Sequence, residues 1–132
     1  MEKRKAVSEM REILFRGKND RGEWIEGFYI KDAIETYIYD KYRNTRMQSV
    51  LPETIGQYTG LTDKNGKKIF EGDIVRYGDT VHEAVFEQRN GTAYFGLVYN
   101  PLETLPFGHY QDLRQIEVIG NIHDNPESLK GE

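Results

Sequence analysis

Apolar and polar residues alternate along this chain in short runs separated by turn-forming residues, and no stretch keeps a helical apolar period for three turns. That pattern predicts strands, with helix a minor component. The first run, REILFRGKNDRGEWIEGFYI, predicts a hairpin. Ile13, Phe15 and Gly17 alternate with Leu14 and Arg16, and Trp24, Glu26, Phe28 and Ile30 alternate with Ile25, Gly27 and Tyr29. Between them Asn19-Asp20-Arg21-Gly22 supplies Asx side chains and a glycine able to take positive φ. YIYDKYRNTRMQSV predicts a second pair of short strands around Asn44-Thr45, and in LPETIGQYTGL Pro52 sets off a brief turn before a strand over 56–61.

Two Asn-Gly dipeptides fix registers. With Asn90-Gly91 as the two-residue loop of a type I′ hairpin, Arg89 faces Thr92, Gln88 faces Ala93, Phe86 faces Phe95 and Ala84 faces Leu97. Cross-strand partners share a side, so Ala84, Phe86, Ala93, Phe95 and Leu97 fall on one face and Glu83, Glu87, Tyr94 and Val98 on the other. A slip by one residue would scramble that segregation. With Asn65-Gly66 as the second loop, Leu61 faces Phe70 and Asp63 faces Lys68. IFEGDIV then continues as a strand in which Gly72 permits a bulge or sharp bend, and IEVIGNI reads as a last strand with a possible bend at Gly120. In DNPESL, Asn125 reads as a helix N-cap and Pro126 as the first helical position, which predicts one short closing helical turn.

Composition narrows the class. At 132 residues the chain is sized for one domain, large enough to fold without a disulfide or metal. It has no cysteine, which removes thiol chemistry, zinc ribbons and disulfide scaffolds and fits a reducing cytoplasm. No apolar run reaches membrane-spanning length, and the N-terminus lacks an apolar signal core. The Asn90-Gly91-Thr92 acceptor pattern therefore reads as a turn. The formal net charge of −4 counts against a protein that grips nucleic-acid phosphate by charge. Lys3, Arg4, Lys5, Arg11, Arg16 and Lys18 crowd the N-terminal end and Lys41, Arg43 and Arg46 form a second group; both read as solvated faces.

Candidate chemistry is sparse. Gly60 and Gly66 enclose five residues and Lys67 is followed by Lys68, whereas a Walker loop needs four residues and then Gly-Lys-Ser/Thr opening a helix. Glu71 and Asp73, two apart on one strand, would share a face, as acid–base or metal chemistry could exploit. With Asp79 and Glu83 they read more simply as turn carboxylates accepting backbone N–H groups. His82, His109 and His123 show no ligand spacing, and neither Ser8, Ser49, Ser128 nor any threonine has a neighbouring base. No catalytic, cofactor or metal residue is assigned. Tyr37, Tyr39, Lys41, Tyr42, Arg43 and Arg46 are the one aromatic–basic interleaving, the pattern with which β-surfaces hold single-stranded nucleic acid. Tyrosines alternating on a half-buried strand produce it equally, and the acidic total favours that structural reading.

ETIGQYTGLTDKNGKKIFEGDIV (53–75) and IEVIGNIHDNPESL (116–129) resemble the two hallmark segments of the YopX family of bacteriophages and prophages of Gram-positive bacteria, and MREILFRGKNDRGEWIEGF (10–28) resembles its opening hairpin. Residues 31–52 and 79–115 are similar to the family's variable portion. The resemblance implies a mainly β fold, a small SH3-like barrel with an N-terminal β-hairpin extension and a minor short helix. It also implies phage origin and action in the bacterial host cytoplasm, and no activity, because the family brings no assigned catalytic residues. The whole predicts one YopX-like domain over 10–132. It acts as a non-enzymatic binding module through contacts with a phage or host protein or through self-association, without cofactor or membrane. The alternatives are a nucleic-acid-binding module using 37–46 and, more weakly, a metal-dependent hydrolase built on Glu71 and Asp73. Residues 1–9, MEKRKAVSE, precede the family-like segment and are expected to form a flexible extension or loose helical turn. A chain lacking them should therefore give an unchanged thermal melting curve.

Overall fold

The computed structural model describes residues 11–42, 46–108 and 111–130; the expectation for the N-terminal extension lies outside them. Eleven strands follow in chain order among these residues: β1 (Phe15–Lys18), β2 (Trp24–Lys31), β3 (Thr36–Asp40), β4 (Met47–Ser49), β5 (Gly56–Thr62), β6 (Lys68–Phe70), β7 (Asp73–Tyr77), β8 (Thr80–Arg89), β9 (Thr92–Asn100), β10 (Glu103–Pro106) and β11 (Ile116–Asn121). Three short 3₁₀ turns complete it, at Pro52–Thr54, Leu113–Gln115 and Pro126–Lys130. The last is the expected closing turn. The Asn125 carboxamide oxygen, however, accepts the Asn121 N–H at 3.3 Å instead of capping the turn.

The strands form two antiparallel sheets, one of six in the order β4-β3-β2-β1-β5-β6 and one of five in the order β10-β9-β8-β7-β11. A mainly β fold is therefore correct, while for the expected SH3-like barrel no closed barrel forms among the described residues: the outermost strands of each sheet do not pair to close one. The N-terminal hairpin is no extension either. β1 pairs with β5 through Phe15–Gln57 and Arg16–Gly56, which places the hairpin inside the six-stranded sheet.

The reason for two sheets lies at Gly72. The chain, expected to continue as one strand with a bulge or sharp bend at Gly72, instead leaves β6, turns at Gly72 with φ +93°, and enters β7 in the other sheet. The Gly72 N–H donates to the Ala84 carbonyl at 2.8 Å and its carbonyl accepts from Ile122 N–H at 2.9 Å, so the corner is bonded on both sides. A side chain at that φ would be strained.

The two Asn-Gly dipeptides make different turns. Asn90 (φ +51°) and Gly91 (φ +81°) both take positive φ, as type I′ requires, and the β8–β9 register is the expected one, with Ala84–Leu97, Phe86–Phe95 and Arg89–Thr92 opposed. Ala84 and Leu97 are fully buried, but Phe86 is 41% exposed, stacked edge-on against Phe95 with ring centres 5.0 Å apart. Burial stops there because β7 pairs with β8 only over Thr80–Glu83 and β10 with β9 only over Gly96–Asn100. The tip therefore runs beyond its neighbouring strands.

At Asn65-Gly66 only the glycine has positive φ, +82°. Asp63 N–H donates to the Lys67 carbonyl and Gly66 N–H to that of Asp63, a type I turn with a following glycine bulge. The register shifts accordingly: Thr62 faces Lys68 and Tyr58 faces Phe70, in place of the expected Asp63–Lys68 and Leu61–Phe70. The Asp63 carboxylate sets the shift at the turn, since one oxygen accepts the N–H groups of Asn65 and Lys67 at 2.8 and 2.9 Å, and an irregularity between Tyr58 and Thr62, where Gly60 takes φ +89°, adds the rest. Asn19 builds the same turn in the first hairpin, its side-chain oxygen accepting Arg21 and Glu23 N–H at 3.0 and 2.9 Å.

Apolar packing falls in three places. Ile69, Val75, Ala84, Leu97, Ile116 and Val118 form the core of the five-stranded sheet. Leu14, Tyr58 and Phe70 form a second cluster; neighbouring Ile69 and Phe70 on β6 thus serve different cores, as strand alternation dictates. Ile25, Ile38 and Val50, with Phe15 and Ile55, form the third.

Candidate interaction surface

From Phe28 onward along β2, the third core leaves the other face of β2–β3–β4 without cover from the described residues. Ile38 is fully buried, so Tyr37 and Tyr39 point the opposite way. Phe28 lies opposite Tyr39 and Ile30 opposite Tyr37 across β2–β3, while Met47 lies opposite Tyr39 and Ser49 opposite Tyr37 across β3–β4. Phe28, Ile30, Tyr37, Tyr39 and Met47 therefore share one outward face. Phe28 is 58%, Met47 49% and Ile30 39% exposed, with the Phe28 and Tyr39 ring centres 6.5 Å apart. A contiguous apolar surface of this kind on a small protein marks a contact site.

The face is framed by charge. Continuing the alternation along β3 puts Glu35 beyond Tyr37 at one end and Lys41 beyond Tyr39 at the other. Glu35 accepts the Ser49 hydroxyl at 2.7 Å. Partial burial first, then the Asp32 and Glu35 carboxylates, raise the Tyr37 phenol above its ordinary value. Lys41 donates to Glu12 at 2.6 Å, a hydrogen bond that raises its ammonium above its usual value, and stands 5.6 Å from the Tyr42 ring centre.

Of the residues singled out in the sequence, Tyr37, Tyr39 and Lys41 are thus brought into one file. Tyr42, its hydroxyl donating to Glu26 at 3.3 Å, and exposed Arg46, whose carbonyl accepts Asp40 N–H at 2.8 Å, sit where β3 turns towards β4. Arg43 lies outside the described residues. Phe28, Ile30, Met47 and Glu35 were not singled out. The signal for Phe28 and Ile30 was present in the period-two alternation of β2, but joining them and Met47 to Tyr37 and Tyr39 requires the β2–β3 and β3–β4 pairings.

A second assembly explains other polar residues structurally. The Arg16 guanidinium lies 4.6 Å from the Trp24 ring centre and 4.7 Å from that of Phe70, and its Nη2 donates to buried Asp73 at 2.7 Å. Asp124 receives the Lys18 ammonium and, at 2.8 Å, the Trp24 indole N–H. These two donors lower its carboxyl to about 2. Arg16, Lys18 and Trp24 come from the first family-like segment, Phe70 and Asp73 from the second and Asp124 from the third. The three segments meet here.

The carboxylate pair does not form the expected shared face. Glu71 precedes the Gly72 corner and accepts Gln57 N–H at 3.1 Å, whereas Asp73 turns inward and accepts Phe70 N–H at 2.7 Å. Burial, the largest influence, raises the Asp73 carboxyl against the opposing pull of Arg16. A cleft of about 190 Å³ beside the corner is lined by Glu53, Glu71, Glu83 and His123, among others. Burial and then Glu71 raise the Glu83 carboxyl, while burial and then Arg16 lower the His123 imidazole. Among the described residues no group of three His, Asp or Glu side chains converges to hold a metal ion. His82 is buried and bonded to the Val98 carbonyl and the Thr80 hydroxyl at 2.9 and 2.8 Å. No described helix is long and apolar enough to cross a membrane.

None of the curated proteins matches the chain. Among solved structures it is similar to protein EF1440 from Enterococcus faecalis, with 27% identity and a TM-score of 0.56 over 91% of this chain and 99% of that one. The family model described as YopX protein matches residues 2–130, which spans all three segments that meet at Arg16, and the chain belongs to the YopX family.

Proposed function

We propose that this protein is a non-enzymatic accessory protein of phage or prophage, working in the bacterial cytoplasm as a β-rich binding module through protein–protein contact or self-association. The exposed apolar face of β2–β4 carries the reading: Phe28, Ile30 and Met47 stand out of the surface beside two half-buried tyrosines, the aromatic and methionine composition that suits the core of a protein interface. Of the polar groups that could suggest catalysis, Glu71, Asp73 and His82 are engaged in backbone, hydroxyl or ion-pair contacts.

A photo-cross-linking residue at position 47, in cells expressing the protein during phage growth, is expected to yield a protein adduct. The same group at exposed Asp79, on the other sheet, should not. Absence of any position-47 adduct would defeat the proposal. A salt-sensitive anisotropy rise with a labelled single-stranded oligonucleotide would instead favour nucleic acid as the ligand of the Tyr37–Arg46 segment.

A further inference from the structure

Tyr37 and Tyr39 stand on the outer face of β3, with Glu35, bonded to Ser49, just before the strand and Lys41, beside the Tyr42 ring, just after it: a file with acid at one end, base at the other and aromatics between. From this and its flanking strands we infer that the face docks against the same face of a second copy, about a two-fold axis that lies in the interface and runs across the strands. The inference rests on the proposed function above and names its partner.

The chemistry selects that arrangement. A two-fold contact is isologous, so a surface can use it only if it complements itself. With the axis across the strands, each strand lies antiparallel over its own copy. Glu35 meets the partner copy's lysine at the far end of the file, and Tyr37 meets the tyrosine of the next position. On β2, Phe28 comes over the smaller isoleucine, and on β4 Met47 comes over the serine, because Phe28 and Met47 share the Tyr39 row while Ile30 and Ser49 share the Tyr37 row. Large side chains thus oppose smaller ones on both flanking strands, as interdigitation of two packed sheets requires. An axis along the strands fails, since it would set Glu35 over glutamate and Lys41 over lysine. Lys41 keeps donors for a second carboxylate beyond Glu12, because an ammonium carries three. Edge-to-edge addition through β4 offers much less, as that strand is only three residues long.

Light scattering on the eluting full-length chain, at rising concentration, should show a dimer mass. Phe28→Asp is expected to weaken the dimer by at least about tenfold in dissociation constant. Glu35→Lys and Lys41→Glu, each monomeric alone through like-charge contact, should regain the dimer mass when mixed in equal amounts, because each then offers the charge the other lacks. Melting curves verify that the variants fold. Should Lys41→Glu fail beside Glu12, the Glu12→Lys/Lys41→Glu chain takes its place in the mixture.

A wild-type chain that stays monomeric overturns the inference, as does a dimer indifferent to all three substitutions or a mixture that stays monomeric. A monomer that still cross-links from position 47 to a different protein overturns the dimer while leaving the binding face standing. No adduct at all defeats both.

Discussion

Arg16→Met is expected to cost about 3–5 kcal/mol of folding stability, the range for removing one partner of a buried ion pair. The loss has two sources. Asp73, only 2% exposed, would keep a carboxylate whose remaining strong contact is the Phe70 N–H, and the Trp24 and Phe70 rings would lose the cation between them. The thioether fills much of the space, so the cost is electrostatic more than steric. Asp73→Asn added to Arg16→Met should recover a good part of it, because a carboxamide oxygen can still accept from Phe70 while burying no charge. Urea unfolding of the two single variants and the double gives the coupling directly. A cost for Arg16→Met below about 1 kcal/mol, within the range of exposed pairs, would show that the cluster is not the tie described here.

Asp63→Ala should lose about 3 kcal/mol, since it orphans three backbone N–H groups that a charged acceptor satisfies. Two belong to the turn and the third is that of Val118 on β11, 2.9 Å from the second carboxylate oxygen. Asp63→Asn should fall between the two chains. Asn19 shows that a carboxamide oxygen can hold this turn, but an asparagine at 63 would aim its NH₂ at the Val118 N–H, donor against donor. If asparagine unfolds as easily as alanine, the bond to β11 contributes little and the turn most of it. Acid probes the same residue. Burial is the largest influence on Asp63 and raises its carboxyl, yet the N–H groups of Val118, Lys67 and Asn65 together leave it below its ordinary value. A lowered carboxyl contributes stability above its unfolded value, about 3.9, and loses it as pH falls through the folded one. Asp124, at about 2, behaves alike. Wild-type stability should therefore decline from pH 4 to about 2, less steeply in Asp63→Ala.

How far the chain could be read beforehand differs between its parts for physical reasons. The β8–β9 register was legible because Asn90-Gly91 and the alternation around it are local and agree. The second Asn-Gly misled because Asp63, two residues earlier, offers an acceptor that stabilises a different turn, and its other oxygen serves a strand 55 residues away. Gly72 was legible as a bend. That it passes the chain into another sheet depends on Ala84 and Ile122, which no local pattern reports. Tyr37, Tyr39 and Lys41 were visible as a strand alternation, whereas Phe28, Ile30 and Met47 joined them only once three strands were laid side by side. The Arg16 cluster was not legible from spacing, since its members are up to about a hundred residues apart.

The contacts of Asp124 with Lys18 and Trp24 also bear on how the protein is made. During synthesis the first hairpin emerges 100 residues before the acid that bonds Trp24, and β1 meanwhile waits for β5. Contacts so distant along the chain make for slow closure. The nascent polypeptide should therefore stay susceptible to proteases until the segment carrying Asp124 has emerged, and a stalled chain ending before Asn121 should be cleared instead of accumulating as a stable fragment.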